Sequence, residues 1–220
     1  MTRHRSALIA GASGLVGQHL LSDLLHSEAY GRVIALVRRP LAVQHEKLEQ
    51  RVVDFARLAE APALAADDVF CCLGTTIRVA GSEAAFRAVD HDYPLALARL
   101  AHASGAQRFL IVSALGADAA SKVFYNRVKG ETERDIAALG MPACWYLRPS
   151  LLDGARTELR PGERIGLLIG RIVAPLMRGS LARYRPIGAA TVARAMLRIA
   201  TRDAAAPGVV ESEVIARLGA

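Results

Sequence analysis

Residues 6–17 read SALIAGASGLVG, and the order of residue types in them decides the fold. SALIAG (6–11) is a short apolar run with strand character. Gly11, Gly14 and Gly17 follow, and the next apolar residues, Leu15, Leu20, Leu21, Leu24 and Leu25, recur at helical spacing. In a strand–turn–helix of this kind the first glycine permits a tight turn and the second lets the backbone approach a pyrophosphate. The third allows the helix to pack closely. Free N–H groups at the helix start then face the phosphates. Gly11, Ser13, Gly14, Leu15 and Gly17 are therefore candidate dinucleotide contacts.

Outward from this unit the same alternation continues. RVIALV (32–37), KLEQRVVD (47–54), DDVFCCLG (67–74), QRFLIVSA (107–114) and ACWYLRPS (143–150) read as further strands. Helices are expected over 14–27, 91–105 and 121–140; in the second, Asp92 is a candidate N-cap, Pro94 suits the first turn and Gly105 the end. Strands alternating with helices imply parallel pairing and right-handed crossovers. The expected fold class is α/β, a Rossmann-type doubly wound parallel sheet in a single domain over 1–220, with 151–220 as a small substrate-side cap. In such sheets ligands lie beyond the carboxyl ends of the strands.

Composition sets the surrounding limits. A chain of 220 residues, 52% hydrophobic and 22% charged, fits one globular domain. Its net charge of +7 raises nucleic acid as a partner, but the arginines are scattered and no nucleic-acid-binding motif is present. MTRHRSALIAGASG runs straight into strand-and-loop chemistry without the apolar region of a signal peptide. The longest apolar runs fall short of the ~20 residues that span a bilayer. Cys71, Cys72 and Cys144 have neither a disulfide framework nor metal-ligand spacing and read as buried small hydrophobes. The expectation is a cytoplasmic protein, monomer or homodimer, taking a small-molecule substrate, with no nucleic acid, no stable membrane insertion and no metal.

Each strand end then offers a site residue. After the second strand, LVRRP (36–40) carries Arg38 and Arg39 where an NAD-preferring site usually has an acid. An arginine fork pairs with a 2′-phosphate in two parallel bonds, each worth about 1.5–3 kcal/mol. A carboxylate there would repel it. The expected cofactor is NADP(H), with Arg38 the main contact. Asp54, after the third strand, either accepts from the adenine amino group or caps the next helix. Leu73, Gly74 and Thr75 end the fourth strand, where Gly74 lets the chain pass close to a ribose and Thr75 and Thr76 offer hydroxyls.

The reactive group is suggested by FYNRVKGETE (124–133). Of 28 Lys and Arg residues only three are lysines, Lys47, Lys122 and Lys129, and Lys129 stands four residues after Tyr125 on one helix face. Ser113 ends the preceding strand. A phenol titrates near pH 10, so proton transfer near neutrality needs its anion stabilised by about two or three units, roughly 3–4 kcal/mol. A nearby ammonium supplies part of this, and its compact head also donates to ribose hydroxyls better than a planar guanidinium does. In this reading Ser113 bonds the substrate carbonyl oxygen while Tyr125 protonates it.

The glycine loop, Ser113 and Tyr125-x-x-x-Lys129 together resemble the short-chain dehydrogenase/reductase family. LVRRP, CCLGTT, VDHDYP, SALGADAASKVFYNRVKGETE and LRPSLLDGARTELRPGE resemble its Tat-interacting-protein-like atypical branch, over about residues 6–165. The resemblance implies a Rossmann domain binding NADPH, a triad of Ser113, Tyr125 and Lys129, and Pro149 and Ser150 near the nicotinamide carboxamide. It implies no substrate. The activity expected is NADP(H)-dependent hydride transfer to or from a small carbonyl or alcohol. The alternatives are a non-catalytic NADPH-binding regulator and an epimerase- or dehydratase-type nucleotide-sugar enzyme.

In the last third, Arg148, Arg156, Glu158 and Arg160 either read an anionic substrate or bridge one another. RIGLLIGRIVAPLMR (164–178) carries a helical apolar stripe, IGAATVARAMLRIA (187–200) reads as a packed helix, and GVVESEVI (208–215) as a closing edge strand.

Overall fold

The computed structural model describes residues 4–62, 64–153, 183–202 and 204–220. Seven parallel strands form the main sheet: β1 (Arg5–Ala10), β2 (Tyr30–Val37), β3 (Leu48–Val52), β4 (Asp68–Cys71), β5 (Arg108–Val112), β6 (Cys144–Arg148) and β9 (Gly208–Glu211). Their order is β3-β2-β1-β4-β5-β6-β9. The chain thus winds outward from β1 to β3, then crosses back to β4 and winds the other way. This is the Rossmann arrangement, and its reversal point falls between β1 and β4, where Ala7–Ala10 pair with Asp68–Cys71.

Alternation along the strands divides the core between the two faces of the sheet. Ile9, Ala35, Phe70, Leu110 and Leu147 face one side with α1 (Leu15–His26) and α6 (Ala189–Arg202). Leu8, Ile34, Val69, Phe109 and Tyr146 face the other, with the short helix 55–60, α4 (Tyr93–Ala103) and Ile136 of α5 (Phe124–Ala137). Continuous apolar strands such as RVIALV are the consequence of being covered on both faces. The fully buried Asp68 is held by the Tyr30 hydroxyl at 2.6 Å and by Arg5 at 2.8 Å.

Three boundaries differ from expectation. The helix expected from 91 starts earlier. Ser82 caps α3 (Glu83–Arg87) through Ala85 N–H at 3.1 Å, and the run continues through a wider turn at 88–92 into α4. Asp92 is therefore helical and caps nothing; its carboxylate lies 2.7 Å from Nδ1 of His91 instead. Second, GVVE (208–211) is the closing edge strand, but Ser212–Gly219 forms α7. Third, α6, β9 and α7 of the segment expected as a cap complete the sheet domain. Arg194 and Arg198 of α6 donate to the Gly219 and Leu218 carbonyls at 2.6 Å each. The small strands β7 (Leu152–Asp153) and β8 (Ile187–Gly188) pair in parallel and bracket the intervening chain. The helix expected at 164–178, and Arg156, Glu158 and Arg160, lie outside the described residues.

Candidate functional site

The glycine turn is built by backbone crowding. Gly11 has φ +86°, and a Cβ there would collide with the Cys72 carbonyl of the chain leaving β4. A Cβ on Gly17 would overlap the Gly11 carbonyl oxygen, so only glycine lets α1 start this close to β1. Gly14 is different: its N–H donates to Gly11 O at 3.0 Å, and a Cβ would meet that oxygen at 3.3 Å. The start of α1 has no side-chain cap and no acid in its first turn. Uncapped N–H groups beside a glycine cradle fit a pyrophosphate. Ser13 and Leu15 lie within the same turn.

The turn after β4 carries Leu73, Gly74 and Thr75. Thr75 N–H donates to Oδ2 of Asp90 at 2.8 Å, while the Thr76 hydroxyl caps α2 (Ile77–Ala80), accepting from Val79 N–H at 3.2 Å. Asp54 caps the 55–60 helix, accepting from Ala56 N–H at 2.9 Å. The cap, one of its two expected roles, is formed through Oδ1. Arg38 and Arg39 are exposed just beyond β2, and among the described residues neither forms an ion pair. The structure thus brings Gly11, Gly14, Gly74, Thr75 and Lys129 to one edge of the sheet, with Arg38 and Arg39 displayed at the next strand end.

Ser113, Tyr125 and Lys129 converge on α5, each with a partner that the sequence reading did not anticipate. Lys129 is only 5% exposed, and its Nζ lies 2.8 Å from Oδ1 of Asp90, itself 1% exposed. Burial alone would lower the lysine's pKa; Asp90 and then Tyr125 offset this and hold it above its ordinary value. Tyr125 is half-buried, its ring tilted against Phe86 with the centroids 5.5 Å apart. Ser113 is 6% exposed and donates to the Glu133 carboxylate. Arg148 grips that carboxylate at 3.0 and 2.5 Å and reaches Glu211 at 3.8 Å. Arg148 is therefore a bridging residue, and the Ser113 proton points toward Glu133.

The loop from Ser113 to α5 is clamped onto the helix. Gly130 leaves room for the backbone of Asp118 and Ala119, which a Cβ would overlap, and Asp118 N–H donates to Asn126 O at 3.0 Å. His91 adds a second tie, its Nε2 lying 2.9 Å from Asp135 on α5. Beyond β6, Leu115 N–H donates to Pro149 O at 3.0 Å and Ser150 N–H to the Ser212 hydroxyl, also at 3.0 Å; the Ser150 hydroxyl bonds Arg185 O. The local sequence left one signal for Glu133 unread: it continues the Tyr125–Lys129 face by four residues. Asp90 had no such signal, because Lys129 stands 39 residues further along the chain on a different helix. Among the described residues no cluster of His, Cys, Asp or Glu is arranged to hold a metal, and no helix is long and apolar enough to cross a membrane.

Comparison with known proteins agrees with this geometry. Residues 11–203 match a family described as NAD(P)H-binding. The rat protein HTATIP2 is 37% identical over 99% of this chain and 90% of its own length. The protein FMP52, mitochondrial, of Eremothecium gossypii is 33% identical over 76% of each chain. Among solved structures, MoeE5 in complex with UDP-glucose and NAD superposes with a TM-score of 0.65 at 18% identity, covering 97% of this chain and 80% of that one. A UDP-galactose 4-epimerase does so with a TM-score of 0.66 at 16% identity, covering 94% and 77%. At those identities the structural likeness speaks to the fold. The chain belongs to the NAD(P)H-binding family, in the Tat-interacting-protein-like branch of the atypical short-chain dehydrogenase/reductases.

Proposed function

We propose that this protein is an NADP(H)-dependent reductase of the short-chain type, acting on a small carbonyl compound with Tyr125 as proton donor. The observation that carries this reading is the buried Lys129 ammonium. It lies one helical turn from Tyr125, and the Cβ position of Gly74, on the turn after β4, is 3.8 Å from its Nζ. A solvated surface lysine would have no reason to be there.

Gly11, Gly14 and the start of α1 would hold the pyrophosphate, Arg38 and Arg39 the 2′-phosphate, and the 73–75 turn the nicotinamide ribose; Pro149 and Ser150 would border the carboxamide. NADPH bound there supplies the hydride. Tyr125 hands its phenolic proton to the carbonyl oxygen of the substrate, and Lys129 stabilises the anion left behind. The Ser113 hydroxyl, donating to Glu133, keeps its lone pairs for the product alcohol or the Tyr125 hydroxyl; turning it outward to donate breaks that bond. Residues 1–220 act as one domain in this account. The free cysteines Cys71, Cys72 and Cys144 fit the reducing cytoplasm, and fractionation checks this against the mitochondrial naming of the fungal relatives.

The direction of the Ser113 proton favours a second reading, a regulator that binds NADPH without turning it over. The nucleotide sugar named with MoeE5 makes an epimerase-type reaction the third. A panel of carbonyl compounds followed by NADPH absorbance, with UDP-sugars scored for epimerisation, separates the three. Carbonyl-dependent NADPH loss supports the reductase; tight NADPH binding with no turnover of any compound favours the regulator.

A further inference from the structure

We propose that Asp90 is a positioning residue for Lys129, the counter-ion that keeps a buried ammonium charged and fixes it beside the turn after β4. The functional meaning of this pairing rests on the reductase reading, but the pairing itself stands on geometry. Oδ1 of Asp90 receives no well-angled hydrogen bond; what it meets is the Lys129 ammonium, 2.8 Å away. Oδ2 accepts from Thr75 N–H at 2.8 Å. The backbone carbonyl of Asp90 accepts from the Thr132 hydroxyl at 2.9 Å, three residues beyond Lys129 on α5. Asp90 is thus tied to the β4 turn on one side and to α5 on the other. Gly74 passes over the pair: a Cβ there would stand 3.4 Å from Oδ1 and 3.8 Å from Nζ.

The titratable groups acting on Lys129 are few. Asp90 faces it from the helical run before α4, Tyr125 from its own helix and Cys71 from the end of β4. Burial pushes the Cys71 thiol up to about 12, which leaves it neutral, and Asp90 is the carboxylate among the three. A buried lysine without a partner loses its proton readily, with downward shifts reaching about 3–5 pH units. Without Asp90, then, the ammonium that a poised phenol requires would be gone near neutral pH. Asp90 also links ribose recognition to proton transfer, because one carboxylate holds both the 73–75 turn and the lysine. This explains why a chain built on arginine keeps a lysine here: a compact point charge fits between Asp90 and the glycine turn.

The three lysines make the test direct. Protein labelled with 13C and 15N at lysine gives three side-chain signals, assigned by Lys47→Arg and Lys122→Arg. In the parent, Lys129 is expected to titrate above the exposed Lys122. In Asp90→Asn, which keeps an acceptor for Thr75 N–H but removes the charge, it is expected to fall by about two pH units or more. Asp90→Glu should restore most of the difference. A parent Lys129 that titrates below Lys122 overturns the proposal even if Asp90→Asn does not fold. An Asp90→Asn titration matching the parent overturns it as well. None of these signals needs turnover, so failure of the carbonyl panel would count against the reductase alone.

Discussion

Glu133 accepts the hydroxyl proton of Ser113 and is itself gripped by two nitrogens of Arg148. The bond joins the end of β5, the middle of α5 and the end of β6, so a residue read as substrate-facing is also structural. Removing one partner of a buried pair leaves the other uncompensated. Arg148→Met should cost about 3 kcal/mol in urea unfolding, whereas Ser113→Ala should cost about 1 kcal/mol.

Gly14 and Gly17 of the turn should respond differently. Gly17→Ala puts a methyl into the Gly11 carbonyl and should lower stability by about 3 kcal/mol or more, seen as a fall in Tm. Gly14→Ala meets only a 3.3 Å contact and should fold, yet weaken NADPH binding measurably by calorimetry. Equal losses of stability in both variants would contradict a cofactor role for Gly14.

Arg38→Asp should invert cofactor preference. Two charge-assisted bonds to a 2′-phosphate give way to repulsion, so NADPH affinity should fall by about tenfold or more while NADH affinity holds. Fluorescence titration with both nucleotides measures this. Retained NADPH preference would remove Arg38 from the 2′-phosphate site.

The carboxyl of Asp135 is held below its ordinary value by Arg134 first and His91 second. A depressed carboxylate contributes stability above its unfolded pKa of about 3.9 and loses it as pH falls through the folded value. The parent should therefore lose stability more steeply than Asp135→Asn below about pH 4, and the two should run parallel near neutrality. Urea midpoints across that range give the comparison.

The strand–helix alternation was legible because burial on both faces makes parallel strands continuously apolar, as in RVIALV, and because glycines punctuate the turns. The placement of Gly11, Gly74, Ser113 and Lys129 at strand ends or on α5 followed from the same pattern. What stayed hidden was pairing across distance. Asp90 and Lys129 are 39 residues apart, and Glu133 and Arg148 meet only once β5, α5 and β6 are assembled. Asp92 misled for a local reason: a good capping residue lay within a helical run that Ser82 had already started. Residues 151–220 were expected to form a small substrate-side region; the helix expected at 187–200 is present as α6 and packs in the core beside α1.

The phenol of Tyr125 is the centre of the proposed chemistry. The decisive measurement is NADPH consumption by the parent and by Tyr125→Phe on the best carbonyl compound of the panel, with NADPH affinity measured in parallel. Turnover should fall by about 10²–10⁴-fold with NADPH binding unchanged. Turnover by Tyr125→Phe at the parental rate would contradict that chemistry.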